Sequence, residues 1–144
     1  REILENYHNI GEDFETICLL QPTSPLRTGK DIQKAYSLFG EKHADSVISV
    51  CEMEHSPLWS NVIPEDLCMD NFISRQVRDK PRQMLEQYYR INGAIYIAKC
   101  HQVMRKQDIY RNSYAHIMPV KRSVDIDTEL DFIMAESIIK YSGM

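Results

Sequence analysis

Two short apolar runs separated by a helical pattern constrain the fold of this chain most strongly. FETICLL (residues 14–20) ends in a continuous apolar run, and SVISV (residues 46–50) is rich in β-branched residues. Between them, apolar side chains recur at helical spacing at Ile32, Ala35, Tyr36 and Phe39. This strand–helix–strand order predicts a βαβ unit. Continuous apolar strands are typical of a mostly parallel sheet with both faces covered.

The rest of the chain departs from this pattern once and then returns to it. Residues 53–90 are rich in Met, Pro, Arg and Gln and have no sustained period, which predicts an excursion from the sheet. INGAIYIA (91–98) has a strand pattern, and YAHIMPV (114–120) predicts an edge strand because Pro119 cannot donate to a sheet ladder. A helix is expected from Thr128 onward, with one apolar side formed by Leu130, Met134, Ile138 and Tyr141.

Composition narrows the class of protein. The 144 residues suit one domain, and a net charge of −4 argues against a broad nucleic-acid or anionic-membrane footprint. No apolar run approaches the length of a membrane span. Four dispersed cysteines without a CxxC motif favour a reduced, cytosolic setting.

Because the chain opens REILENYHNIG, without Met and within a helical pattern, we expect the true N-terminus to lie upstream.

The loop QPTSPLRTG (21–29) follows the first predicted strand. It places Gln21, Thr23, Ser24 and Arg27 where open α/β sheets bind ligands, beyond the carboxyl end of a strand. The alternative is a turn rich in Pro and Ser/Thr with a solvated arginine. Thr28 followed by Asp31 predicts a capping box at the start of the next helix.

The segment SVDIDTELDF (123–132) carries four carboxylates at two-residue spacing. A change from strand to helix near Thr128 places Glu129 and Asp131 in the first helical turn, where the helix dipole favours carboxylates. Asp125 and Asp127 are left on one side of the segment before the helix. They can hold a hard divalent cation, or they can be a surface residue and a helix cap.

Other polar positions also have two interpretations. The basic run 75–82 suits either an anion site or a solvated face. Asn92, Gly93 and Tyr96 lie on the strand 91–98, with Asn92 and Tyr96 on one face. Gly93 permits close backbone approach or forms a bulge. Tyr96 is either a core residue or a ligand contact.

Three segments together carry a resemblance to a known family. LLQPTSPLRTGKDI (19–32), INGAIYI (91–97) and SVDIDTELDF (123–132) occur in an order and spacing similar to those of the CMP-sialic acid synthetases, also called acylneuraminate cytidylyltransferases. The resemblance implies an α/β, Rossmann-like nucleotidyltransferase fold with a mostly parallel sheet. It also implies an inserted dimerisation arm at about residues 53–90 within a single domain, 1–144.

The resemblance implies a reaction and a set of site residues. CTP and a nine-carbon 2-keto sugar acid (N-acetylneuraminate or a relative) would give the CMP-sugar and pyrophosphate, with Mg²⁺ bound by Asp125 and Asp127. The remaining implied positions are substrate-binding: Gln21, Thr23, Ser24, Arg27, Arg82, Asn92, Tyr96 and Tyr110. Of these, Arg82 would meet the sugar carboxylate in the partner's site of a homodimer, since a guanidinium matches a carboxylate in two parallel bonds.

The sequence departs from the family pattern in two places. A phosphate-binding motif of the type A-R-x-G-S-K is absent, so the N-terminal strands that carry it are expected upstream. Trp59 stands where some members have a Lys, which bears on sugar specificity. The alternative function is a non-catalytic fragment that acts as a sugar-binding or dimerisation module.

Overall fold

A computed structural model describes residues 1–142, apart from the side chains of Arg82 and Ser142. In chain order its helices and strands are α1 Glu2–Asn9, β1 Thr16–Leu19, α2 Gly29–Glu41, β2 Ser46–Glu52, α3 Arg75–Arg78, β3 Tyr89–Lys99, α4 Cys100–Met104, β4 Ser113–Met118 and α5 Glu129–Ser142. Short 3-10 turns lie at Pro57–Trp59, Arg82–Met84 and Val120–Arg122. The chain divides into two compact units, one formed by residues 1–51 with the chain from residue 91 onward and the other by residues 52–90.

The fold is α/β in class, and its sheet contains both parallel and antiparallel strand pairs. Its order is β1-β3-β2-β4; β1 pairs antiparallel with β3, and β2 pairs parallel with β4. The prediction of a mostly parallel sheet was therefore wrong, since the described sheet is mostly antiparallel. Apolar runs indicate that strands are buried, but they do not encode the direction of the neighbouring strand. Here β3 lies between the two strands of the expected βαβ unit.

The first strand is less buried than its apolar run predicts. β1 lies at one edge of the described sheet, its Cys18 is half-buried, and Leu19 is 54% exposed. Burial on both faces was the wrong expectation, because an edge strand of a mixed sheet has fewer covering elements than a central parallel strand. The prediction for the opposite edge is confirmed: β4 is the edge strand and ends at Met118, directly before Pro119.

The core of the first unit lies where α2 packs on the sheet. Ala35 of α2 is fully buried with side chains from all three longer strands, namely Val47, Ala94, Ile95, Ile97 and Met118. Ile32 and Phe39 pack against this cluster, as the helical spacing predicts, whereas Tyr36 is 39% exposed. The helix predicted from Thr128 onward is present as α5; its buried residue is Ala135, while Leu130, Met134 and Tyr141 of the predicted apolar side are exposed.

Both predicted T-x-x-D caps are present. At α2, the Asp31 amide donates to Thr28 Oγ1 at 3.3 Å, and the Thr28 amide donates to Asp31 Oδ2 at 2.9 Å. At α5, the same pair of bonds joins Thr128 and Asp131 at 3.3 and 2.8 Å. The two caps differ in environment, because Asp31 is 3% exposed while the Thr128–Asp131 cap lies in an exposed stretch.

The unit 52–90 consists mostly of loops. The amide of Met53 donates to the carbonyl of Tyr88 at 2.9 Å and joins its two ends. Ser74 precedes the four-residue helix α3. None of the helices in the described part of the chain combines the length and the hydropathy that a membrane span requires.

The two caps provide a matched test of burial. Burial would raise the pKa of Asp31, but hydrogen bonds from Arg122 and Thr28 lower it from 3.8 to about 2. A folded-state pKa below the unfolded value stabilises the fold above roughly pH 4, and this stabilisation is lost as pH falls toward 2. Asp31→Asn should therefore reduce the free energy of unfolding at pH 7 by about 2 kcal/mol, and by less at pH 3.

Urea unfolding of the complete protein at both pH values measures this difference. Asp131→Asn is the control and should cause a smaller loss at pH 7, since its cap is exposed. Equal losses for the two variants, or a loss at Asp31 that does not change with pH, would contradict the prediction.

Candidate functional site

The loop after β1 folds back toward β3. Leu19 is paired with Tyr96, so the antiparallel register carries the following residues toward the start of β3. Arg27 stabilises this loop from within, because its guanidinium donates to the carbonyls of Gln21 at 2.5 Å and Ser24 at 2.8 Å. The structure thus places Arg27 against the backbone of its own loop, and its substrate-binding role stays a prediction.

Gly93 is the point where the predicted site residues come together. It has a φ of +73°, and a Cβ atom placed there would lie 2.3 Å from Gln21 Oε1, 3.4 Å from Ser24 Oγ and 3.5 Å from Asp125 Oδ2. Only glycine adopts this backbone conformation without steric cost while leaving space for its neighbours. The interpretation of Gly93 as a site of close approach is therefore the one that the geometry supports.

Asn92 connects the strands and loops around the site. The residue is 2% exposed. Its Oδ1 accepts from Ser49 Oγ at 2.6 Å, and its Nδ2 donates to Ser123 Oγ at 2.8 Å. Its carbonyl accepts from Ser24 Oγ at 3.3 Å. Asn92 therefore joins β2, β3, the loop after β1 and the segment before α5. The direct substrate contact predicted for it stays a prediction.

Asp125 and Asp127, the two carboxylates before α5, have different environments. Asp125 is half-buried, and its Oδ1 atom is buried without a hydrogen-bond partner among the described residues. Its neighbour Ile126 donates its amide to the Thr23 carbonyl at 2.8 Å, which holds the segment against the loop after β1. Asp127 is exposed, and its amide donates to Asp131 Oδ2 at 3.3 Å, so its backbone belongs to the start of α5.

The donor set at Asp125 and Asp127 fits a hard divalent cation. A buried carboxylate oxygen without a donor is costly unless a cation or water satisfies it. No group of three or more His, Cys, Asp or Glu side chains suited to a metal occurs among the described residues. Mg²⁺ needs fewer protein ligands, because it keeps waters and binds substrate phosphates. An open site with one or two carboxylates is consistent with both observations.

Tyr96 lies near this carboxylate and near a second tyrosine, Tyr110. Burial raises the pKa of Tyr96, and the neighbouring Tyr110 and Asp125 raise it further. Tyr96 is half-buried, whereas Tyr110 is 61% exposed and donates its amide to Asp108 Oδ1 at 2.9 Å. The structure therefore brings Gln21, Ser24, Gly93, Tyr96 and Asp125 into one site. Arg82 belongs to the other unit, and its side chain lies outside the described part of the structure.

Sequence reasoning missed three residues that support the site. Ser49 and Ser123 are fully buried and bind the two ends of the Asn92 amide. Arg122 forms an ion pair with Asp31. A signal was available for Ser49, since a polar residue inside the apolar run SVISV needs a buried partner. Arg122 had no such signal, because its partner is 91 residues away.

Comparison with known proteins gives the family context. No family model matches the chain. It is 31% identical over 134 residues to an N-acylneuraminate cytidylyltransferase of Streptococcus agalactiae. It is 34% identical over 142 residues to an Escherichia coli protein of the same name, and 27% identical over 147 residues to the CMP-N,N'-diacetyllegionaminic acid synthase of Legionella pneumophila.

These matches cover nearly all of this chain but only part of each relative. They include 92%, 95% and 96% of the chain, and 32%, 33% and 60% of the respective relatives. The resemblance to CMP-sialic acid synthetases is confirmed, and the chain corresponds to a part of these longer proteins.

The close approach at Gly93 predicts the effect of adding one methyl group. Gly93→Ala should lower the free energy of unfolding by about 1–2 kcal/mol, because a residue with a side chain is strained at positive φ. It should also displace the Gln21 side chain, whose Oε1 is 2.3 Å from the position of the new Cβ. Urea unfolding measures the first effect, and the NMR shifts of the Gln21 side-chain amide measure the second.

Gly29→Ala is the matched control, since a Cβ there has no neighbour within 4 Å and Gly29 begins α2. This variant should be neutral or slightly stabilising. An unchanged Gln21 amide in Gly93→Ala would contradict the close approach.

Proposed function

We propose that this chain is part of a cytidylyltransferase that joins CTP to a nonulosonic acid. One observation carries the proposal: the carboxylate of Asp125 converges with Gln21 and Ser24 on Gly93, while its Oδ1 is buried and has no partner among the residues that the structure describes. The names of the relatives support the reaction class, since they are an N-acylneuraminate cytidylyltransferase and a CMP-legionaminic acid synthase.

The proposed reaction is a nucleotidyl transfer. The C2 hydroxyl of the sugar acid attacks the α-phosphorus of CTP, a new P–O bond forms, the bond to the β-phosphate oxygen breaks, and the hydroxyl proton passes to solvent. The products are the CMP-sugar and pyrophosphate. Within this chain, Gln21, Thr23, Ser24 and Tyr96 are proposed to hold and orient the sugar, and Asn92 to fix the backbone that they share.

Asp125 and Asp127 are the proposed magnesium ligands. Asp125 would supply a buried oxygen, whereas Asp127 is exposed and lies at the start of α5. When bound, Mg²⁺ would offset charge on the transferred phosphoryl group and on the leaving pyrophosphate. The proposed contribution of the protein is to present Asp125 beside Gln21 and Ser24, with no donor to its Oδ1 among the described residues, and Asp127 two residues further on.

Residues 53–90 are proposed to act as a dimerisation arm that brings Arg82 to the sugar carboxylate of a partner's site. This proposal comes from the resemblance to the CMP-sialic acid synthetases; within this chain, residues 52–90 form a unit of their own. The chain spans 32% and 33% of the two N-acylneuraminate cytidylyltransferases and 60% of the legionaminic acid synthase. The proposed activity therefore belongs to the complete protein. Four free thiols support a reducing, cytosolic location.

Pyrophosphate release tests the reaction and the metal site together. The complete protein should release pyrophosphate from CTP only when a nonulosonic acid is supplied, across a panel containing N-acetylneuraminate and legionaminate- and pseudaminate-type acids. Asp125→Asn should reduce kcat by about 100-fold or more, because charge stabilisation by a metal is worth several kcal/mol. Asp127→Asn should also reduce it, though less, since Asp127 is exposed.

Glu129→Gln is the control for these variants, since Glu129 is an exposed carboxylate in the first turn of α5. It should leave kcat within about twofold, as is usual for exposed substitutions. Near-normal kcat for Asp125→Asn at saturating Mg²⁺ would refute the metal assignment, and release without any sugar acid would refute the substrate class.

Recognition of the sugar carboxylate gives a separate prediction. Arg82→Ala should raise the KM for the sugar acid by about 10-fold or more and leave the KM for CTP nearly unchanged, because a charge-assisted bond is worth roughly 1.5–3 kcal/mol. Arg75→Ala, in the same basic run, should change neither KM. Steady-state kinetics with each substrate varied in turn decides the question, and equal effects of Arg82→Ala on both KM values would contradict it.

A further inference from the structure

An ion pair beside the site joins two distant segments. The guanidinium of Arg122 donates to both oxygens of Asp31, from Nη2 to Oδ1 at 2.6 Å and from Nε to Oδ2 at 3.0 Å. The amide and hydroxyl of Thr28 donate to Oδ2 at 2.9 and 2.7 Å. Four donors thus hold the Asp31 carboxylate, whose side chain is only 4% exposed.

Each partner is attached to a segment that carries site residues. Asp31 lies in the first turn of α2, directly after the loop that contains Gln21 and Ser24. Arg122 ends the 3-10 turn Val120–Arg122, three residues before Asp125. The pair therefore connects the start of α2 with the segment that carries the metal-site carboxylate.

The segment carrying Asp125 is held at three points. Arg122 binds Asp31, Ser123 binds the Asn92 amide, and the amide of Ile126 binds the Thr23 carbonyl. Asp125 itself has a buried Oδ1 without a partner among the described residues, so its position depends on these neighbours. Arg122 is the bidentate, charged contact of the three, and a guanidinium–carboxylate fork fixes direction as well as distance.

We propose that Asp31 and Arg122 are a positioning pair that fixes Asp125 and thereby sets the affinity of the site for its divalent cation. The inference rests on the proposed function only in that Asp125 is taken as a ligand. Asp31 and Arg122 act through the backbone from Arg122 to Asp125, and neither is itself a ligand. Residues that orient metal ligands typically change metal affinity by about 10–100-fold when they are replaced.

A purely structural pair would behave differently. Removing one member of a buried pair leaves the other charge unpaired, so stability should fall whichever role the pair has. A structural role leaves the cation affinity of the folded molecules unchanged, whereas a positioning role weakens it. Lys in place of Arg122 keeps the charge but loses the fork, so the positioning role predicts an intermediate affinity for this variant.

Titration of the complete protein with Mn²⁺ alone, followed by the EPR signal of the free ion, measures the affinity without catalysis. Arg122→Ala and Asp31→Asn should each raise the Kd for Mn²⁺ by about 10-fold, and Arg122→Lys by about threefold. Lys121→Ala removes the exposed neighbouring cation and should leave the Kd unchanged. Asp125→Ala should abolish the saturable binding of Mn²⁺.

A kinetic measurement gives a second readout. In pyrophosphate release, the concentration of Mg²⁺ that gives half-maximal rate should rise by about the same factor as the Mn²⁺ Kd for each variant. The kcat at saturating Mg²⁺ should fall by less than that factor, because excess metal restores occupancy of the site. Circular dichroism at the assay temperature checks that each variant is folded, and if Arg122→Ala is not, Arg122→Lys and Asp31→Asn provide the test.

The outcomes separate this inference from the proposed function. Folded Arg122 and Asp31 variants with the wild-type Kd would overturn the positioning pair while leaving Asp125 as a ligand. The same holds if Lys121→Ala weakens binding as much as Arg122→Ala does. Mn²⁺ binding that is absent from the wild type, or equal in wild type and Asp125→Ala, would refute the metal site itself and the positioning role with it.

Discussion

The candidate site depends on Gly93, because glycine has no side chain. With φ at +73° and no Cβ, this residue lets Gln21, Ser24 and Asp125 approach one stretch of β3 from two different loops. A Cβ at this position would displace the Gln21 side chain, whose Oε1 lies 2.3 Å away, and would contact Ser24 Oγ and Asp125 Oδ2 at 3.4 and 3.5 Å. The sugar and metal positions proposed above are neighbours because both segments reach β3 at this residue.

Asn92 and Asp31 each have several hydrogen-bond partners, whereas Asp125 Oδ1 has none among the described residues. Asn92 uses Ser49, Ser123 and the amide of Ala94, the last at 3.2 Å. Asp31 is bound by four donors from Thr28 and Arg122. Since leaving a buried acceptor unpaired costs more than a typical hydrogen bond contributes, the lone Oδ1 of Asp125 stands out against these neighbours. This contrast is a stronger reason to place a cation there than the D-x-D spacing.

Local rules in the sequence predicted local features well. The two T-x-x-D caps, the strand after the excursion and the edge strand before Pro119 follow from residue types within a few positions of each other. The direction of the sheet strands, the exposure of β1 and the buried side of α5 did not follow. Each depends on which distant element covers a surface, as when Ala135 of α5 is buried and Leu130 is not.

The same distinction applies to the site. Sequence motifs identified four site residues whose side chains carry recognisable chemical groups, namely Gln21, Ser24, Tyr96 and Asp125. The structure brings these residues together. The residues that hold them, Ser49, Arg122 and Ser123, have partners 43, 91 and 31 residues away. A polar residue inside an apolar run, such as Ser49, indicates that a buried partner is needed, but one sequence does not show which distant residue that partner is. The residue types of the site can therefore be predicted from the sequence, whereas the positions of their side chains depend on contacts that only the folded chain displays.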